Sequence, residues 1–356
     1  MGSYDFSSGG DSFKTDEYDF TPGGRPPRSP LPFILGGAAV LLLAALIAFS
    51  AVRASLDNKA YQAAHVAYLS GDCASALPAF EKLTHAFRLF DFGGRIRSAR
   101  LERAECVPYQ QAVEVENSAN PAAALLAWQG FITANPASGL LEAALQRVDD
   151  LFARSAPIEL ASPESCAALK DMLAHDVIPN LDQNLPTLLY GCGLLAEQNQ
   201  DYTSAEYYYE TALSNNAAHP LASQIQGSLV SLVVNQARAA NAPELPPPSP
   251  SGTTVAGSTV VVIQNDSPDA LRIYFSGPQP LIQELPACPD CVDFTSAPPA
   301  CPAKGSIGTY TLAPGSYDVV VESISSEGVE PFRGTWQLED GIEFYSCFFI
   351  ITTPAP

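Results

Sequence analysis

Most of the chemistry this chain could do resides in its eight cysteines, Cys73, Cys106, Cys166, Cys192, Cys288, Cys291, Cys301 and Cys347. The sharpest grouping is Cys288-Pro289-Asp290-Cys291. A CxxC pair can cycle between dithiol and disulfide when its first thiol is activated at a helix N-terminus. Here the surroundings are rich in proline, no helical pattern follows, and no cation lies close by in sequence. With Cys301 and Cys347 the pair could instead supply four thiolates to zinc. A second CxxC, the mark of a zinc ribbon, is missing, and the chain has no histidine after His219. Structural disulfides are the reading we expect. Four cysteines allow three connectivities, and each is expected to tie Cys347 back to the 288–301 loop.

The other four cysteines carry a positional argument. Cys166 and Cys192 are equidistant from Pro179, inside the turn-like Val177-Ile178-Pro179-Asn180. Cys73 and Cys106 straddle Asp91-Phe92-Gly93-Gly94 near their midpoint. In an antiparallel helix pair, residues equidistant from the turn face each other within disulfide reach. The spacing therefore predicts Cys73–Cys106 and Cys166–Cys192.

Nothing else reads as a catalytic constellation. His65, His85, His175 and His219 stand apart from any serine, cysteine or carboxylate at a motif spacing, and no phosphate-binding or dinucleotide-binding glycine pattern occurs. A non-enzymatic protein without a cofactor is expected. Arg97, Arg100 and Arg103 fall near one helical face and could receive an acidic partner, although a solvated face paired with Glu102, Glu105 and neighbouring acids is the reading we expect. In Tyr207-Tyr208-Tyr209, core packing with one exposed ring is expected, Tyr207 being the ring that could meet a partner.

What must position these residues begins with an apolar stretch. Leu31 to Val52 carries no charge, with Arg28 before it and Arg53 after it. About 20 apolar residues suffice to span a bilayer as a helix, so residues 31–53 read as a transmembrane helix in contact with lipid. A signal peptide would have a short basic lead and an apolar core of about 7–15 residues; the lead here is long and acidic, although Ala48-Phe49-Ser50 could be cleaved. Basic residues flank both ends, so charge barely orients the span. The cysteines all follow it, which places the C-terminal side in an oxidising compartment and the N-terminus in the cytoplasm.

Residues 1–30, rich in Gly, Ser, Pro and Asp, read as a disordered cytoplasmic tail. Tyr4-Asp5-Phe6-Ser7-Ser8-Gly9-Gly10 recurs there as Tyr18-Asp19-Phe20-Thr21-Pro22-Gly23-Gly24. This pair could dock a cytoplasmic partner through residues 4–24, or reflect low complexity alone. Residues 55–241 read as helices, rich in Ala and Leu. Residues 242–252 form a proline-rich linker, extended and stiff, expected to hold the last domain away from the helices. From Thr253 to Pro356 short apolar runs alternate with turn signals, as in a small antiparallel sandwich.

Two resemblances give these regions an expected architecture. Leu189-x-x-Cys192-Gly193, then Asp201-Tyr202-x-x-Ala205-x-x-x-Tyr209-x-x-Ala212-Leu213, resembles the tetratricopeptide repeat, a helix-turn-helix of about 34 residues. Gly71-Asp72-x-x-x-Ala76-x-x-x-Phe80-x-x-Leu83 and Ala124-x-x-x-Trp128-x-x-Phe131 before Pro136 are further matches. The resemblance implies three to four helical hairpins, with Gly193, Ala205 and Ala212 at helix contacts and Tyr202 and Tyr209 filling the gaps. Leu312-Ala313-Pro314-Gly315-Ser316-Tyr317-Asp318-Val319-Val320-Val321, with Val329 to Phe332 and Trp336 to Gly341, resembles the PEGA and carboxypeptidase-regulatory-like modules. These imply a non-catalytic β-sandwich, here with an insertion holding Cys288, Cys291 and Cys301.

Composition narrows the partners. The formal net charge is −20, and 33 acidic against 14 basic residues follow Arg53. Nucleic-acid affinity depends on Lys and Arg at phosphates, so a nucleic-acid partner is excluded, and the overall charge disfavours an anionic lipid surface. The expected function is an extracytoplasmic protein–protein interaction scaffold of the cell envelope, anchored to the membrane. The alternative is a bitopic sensor whose outer domains bind a ligand while the tail docks a cytoplasmic partner.

Overall fold

The computed structural model describes residues 31–85, 94–292, 294, 296, 300–324, 330–349 and 351, with side chains from residue 41 onward. The tail, its duplicated motif and the turn at Asp91 to Gly93 lie outside the described residues. Two compact units divide the chain, Met1–Lys59 and Ala60–Pro356. Among the described residues, eleven helices precede eight strands.

The first helix, α1 (Leu31–Leu69), does not stop at Arg53. Within it Leu41–Leu69 is long and apolar enough to cross a membrane, by length and composition. In the first unit Leu41, Leu42, Leu46, Ile47, Phe49 and Val52 are all exposed.

The second unit starts with the last turns of α1, then α2 (Cys73–His85), α3 (Arg95–Glu116), α4 (Pro121–Ala134) and α5 (Leu141–Arg154). Gly71, at φ 77°, makes the turn into α2; a Cβ there would press on the Tyr109 hydroxyl. Asn120 caps α4 by accepting from the Ala123 N–H, and Pro121 follows at the first helical position, where its missing donor costs nothing. Short helices α6 (Pro157–Leu160), α7 (Pro163–Ala167) and α8 (Leu169–Ala174) lead to α9 (Leu181–Gln198), α10 (Tyr202–Asn215) and α11 (Ala222–Ala239). Asp201 caps α10 through the Ser204 N–H at 3.2 Å.

Small residues let these helices approach. A Cβ on Gly193 would overlap the Tyr209 ring, and one on Gly191 would overlap the Pro157 carbonyl. Ala205, Tyr209 and Ala212 are fully buried, as are Ala76, Phe80, Ala124 and Trp128. Tyr202 departs from the expectation. Standing at the first position of α10, it is 44% exposed and fills no gap.

Both helical disulfides form as the spacing predicts. Cys73 bonds Cys106, tying α2 to α3, and Cys166 bonds Cys192, tying α7 to α9.

The strands are β1 (Ser249–Thr253), β2 (Thr259–Asn265), β3 (Leu271–Ser276), β4 (Leu281–Leu285), β5 (Ser306–Leu312), β6 (Gly315–Ser323), β7 (Phe332–Leu338) and β8 (Ile342–Phe348). One four-stranded sheet has the order β1-β8-β2-β5 and the other β4-β3-β6-β7. All neighbours are antiparallel except β2 and β8, which pair in parallel. Side chains alternate between faces along a strand, and the two faces of the second sheet have different neighbours. Ile273, Phe275, Tyr317, Val319 and Trp336 share a core with Val261, Ile263, Leu312 and Phe344 of the first sheet. Tyr274 and Val320 instead join the core of the helices, because α11 packs across β3, β4, β6 and β7.

This overturns the expected spacer role of residues 242–252. The segment lies on the sheets: Leu245 N–H donates to the Arg333 carbonyl at 2.8 Å, and Arg333 N–H donates to that of Pro243 at 2.9 Å. Trp336 Nε1 donates to the Pro246 carbonyl at 3.1 Å, and β1 pairs with β8. Prolines lack the N–H but keep the carbonyl, so such a segment can cover a sheet edge without competing for every rung.

Candidate functional site

In the β portion the cysteines are joined as Cys288–Cys291 and Cys301–Cys347. Both sulfurs of each pair are used in covalent bonds, which takes away the four-thiolate zinc reading. Cys288 and Cys291 are buried in a tight turn: Cys291 N–H donates to the Cys288 carbonyl, and Cys288 N–H to that of Ser267. Among the described residues no helix begins there to activate a thiolate. Asp266, Cys301 and Cys347 place their ligand atoms within 4.8 Å of one another, yet those two sulfurs also share a bond.

Asp266 is the residue the sequence reading missed. Within Asn265-Asp266-Ser267-Pro268-Asp269 it looks like an ordinary turn acid, yet it is fully buried. Its carboxylate accepts from Ala303 N–H at 2.7 Å, Lys304 N–H at 2.9 Å and Gly305 N–H at 2.6 Å. Gln264 Nε2 adds a fourth donor at 3.1 Å. Burial pushes this carboxyl up, but the three backbone donors outweigh it, so it sits below its ordinary value. Asp266 thus pins the segment that carries Cys301 over the end of β2. It is a structural keystone.

The arginine face divides. Arg97 and Arg100 are exposed on α3. Arg103 turns aside and meets Glu81 of α2 at 3.4 Å, so it is not part of a shared stripe. Glu102 and Glu105 face the other way, onto α1. Glu102 accepts from the Tyr61 hydroxyl and lies 3.1 Å from His65 Nδ1, and Glu105 accepts from the Tyr68 and Ser138 hydroxyls. On α10, Tyr207 is 62% exposed while Tyr209 is buried, which leaves Tyr207 as the exposed ring.

His219 is buried and holds structure. His219 Nδ1 accepts from Leu221 N–H at 3.1 Å, which assigns the proton to Nε2, 2.9 Å from the Gln183 carbonyl. His175 lies 3.3 Å from Asp171 one turn earlier on its helix.

Where α10 and α11 meet the second sheet, four carboxylates gather around one guanidinium. Arg272 Nη1 reaches Glu210 at 2.6 Å, and its Nη2 reaches Glu284 at 2.8 Å. Glu322 stands 3.9 Å away and accepts from the Tyr274 hydroxyl at 2.7 Å. Burial first, then the Glu322 and Glu210 charges, push the Glu206 carboxyl up. Burial is also the main cause that pushes up Glu322. The cluster joins the helices to the sheet through charge as well as apolar packing.

Beside the last strand lies a cavity of about 660 Å³. Leu245, Leu271, Val321, Phe332 and Phe348 line it, with Glu244 and Glu330 at its wall.

No family model matches this chain, and no relative is found among curated proteins.

Proposed function

We propose that this protein is a non-enzymatic, membrane-anchored scaffold of the cell envelope, which presents stacked helices and a β-sandwich outside the membrane to hold a protein partner. The helix pairs are read as degenerate tetratricopeptide-like hairpins, and the two sheets with one core as a sandwich of the PEGA type. The observation that carries this reading is the packing of α9 on α10, where Gly193 receives the buried Tyr209 ring while Tyr207 stays in solvent. Stacked hairpins of this kind expose long faces suited to protein partners. The four disulfides support an oxidising compartment for residues 60–356. The apolar run of α1 supports an anchor, and the disulfides that follow it support an N-terminus inside.

A second reading, a bitopic sensor, is favoured by the cavity beside β8, whose size suits a small ligand. Deleting residues 1–24 separates the two. A scaffold keeps its outer assembly and its function without the paired tail motifs, whereas a sensor keeps the assembly and loses the function.

A further inference from the structure

A strand at the end of a sheet offers unpaired N–H and C=O groups to any second chain, and proteins protect it with a charge, a proline, a bulge or a covering segment. Among the described residues the two sheets present four edges, β1, β5, β4 and β7, and three are protected. β1 has Pro250 and an irregular register between Pro250 and Gly252. β7 is covered by residues 243–245, and β4 carries Glu284, bound to Arg272. β5, Ser306-Ile307-Gly308-Thr309-Tyr310-Thr311-Leu312, has no charge and no proline, and it runs beside β2 without a bulge. Among the described residues nothing pairs with its outer side.

The register shows which residues meet that side. Asp266 N–H donates to the Phe348 carbonyl of β8. The N–H and C=O of one strand residue point to the same side, and those of the next residue to the other. Val260, Val262 and Gln264 therefore address β8, while Val261, Ile263 and Asn265 address β5. Their partners there are Tyr310, Gly308 and Ser306. This leaves the backbone groups of Ile307, Thr309 and Thr311 directed outward. The side chains of the same three residues are exposed, Ile307 at 60%.

This edge is complementary to itself. Set antiparallel to a second β5 about Thr309, Ile307 faces Thr311 of the second copy and the two Thr309 face each other, so every outward donor meets an acceptor. Such a pairing is two-fold and closed, and Thr–Thr pairs directly across two strands are favourable. Charge fits as well. The chain has a formal net charge of −20, yet no acid occurs from Phe294 to Tyr317, where Lys304 is the one charged residue. Two acidic molecules can approach along this stretch with little local repulsion.

We propose that β5 is a dimerisation edge, at which two copies of this chain pair antiparallel about Thr309 and join their four-stranded first sheets into one continuous sheet. The contact is small beside the roughly 1,600 Å² of a standard interface, so association in the micromolar range is expected.

The test is sedimentation equilibrium of the full-length protein in mild, density-matched detergent. A dimer should form at about 100 μM and dissociate on dilution below about 1 μM. Thr309→Lys and Thr309→Asp each set like charges opposite one another, and each should weaken the dimer at least about tenfold. Neither should lower the melting temperature, because the Thr309 side chain is exposed. An equimolar mixture of the two variants should recover the dimer, since Lys then faces Asp. A monomer throughout the concentration range overturns the proposal. So does a dimer that neither substitution weakens, which would be held by another surface, and so does a mixture that associates no better than either variant alone.

Discussion

Glu116 shows how single side chains hold the helices together. Its carboxylate accepts from Trp128 Nε1 at 3.0 Å, pairs with Arg154 and lies 3.6 Å from Arg147, with only 3% of its side chain exposed. Removing it strands the buried indole N–H as well as leaving a void. Glu116→Ala should cost about 2–4 kcal/mol in urea unfolding, and Glu116→Gln, which keeps an acceptor for the indole, only about 1 kcal/mol. The carboxylates also set a pH dependence. Glu206 and Glu322 are pushed up by burial, so in the folded protein they hold protons that the unfolded chain has released. Their contribution is greatest below the ordinary carboxylate range and is lost as pH rises through their raised values. Asp266 has the opposite sign, because its folded carboxyl is depressed. Its contribution is present above the ordinary range and is lost as pH falls through that lowered value. Stability measured against pH should therefore rise on mild acidification from neutral and fall only in stronger acid. Glu206→Gln should flatten the first change and leave the second.

At the scale of elements, the α9–α10 pair gives the sharpest expectation. Gly193→Ala would drive a methyl into the Tyr209 ring, and overpacking of this kind costs about 1–3 kcal/mol. Combining it with Tyr209→Leu should recover part of that loss, read by denaturant midpoint. This pair was legible because its signals are local: a glycine on one helix, alanines at spacing on the next, and Asp201 as a cap. The same holds for β2, β3, β6, β7 and β8, whose apolar runs are visible in Val260 to Ile263 or Val319 to Val321 and whose alternation is visible in Leu271 to Phe275. Strands β1, β4 and β5 carry Pro, Gly or polar residues and show no such pattern. They exist because neighbouring strands supply their hydrogen bonds, which is non-local information. Symmetry about a turn placed Cys73 with Cys106 and Cys166 with Cys192. No comparable rule distinguished the three pairings among Cys288, Cys291, Cys301 and Cys347. That choice follows from Asp266 drawing the 303–305 backbone onto β2.

On the scale of the whole molecule, the proline-rich segment misleads most. Composition suggests a spacer, whereas the helices and the second sheet share a core through Tyr274 and Val320, and Arg272 binds Glu210 across the same junction. The sequence hides this because Tyr274 and Val320 occupy strand positions that alternation would assign to solvent. A fragment of residues 243–356 should accordingly be less stable than the same strands in the full chain. Exposing the two side chains costs about 3–6 kcal/mol, visible as a lower melting temperature and binding of a hydrophobic dye. A fragment as stable as the strands in the full chain would make the junction incidental. The scaffold itself is tested most directly by extracting the full-length protein from its native membrane in mild detergent, measuring its native mass and identifying what travels with it. We expect a discrete complex of fixed stoichiometry with another membrane-associated protein, reduced when Tyr207 on the exposed face of α10 is replaced by Ala. A monomer or homo-oligomer carrying no partner would contradict the scaffold.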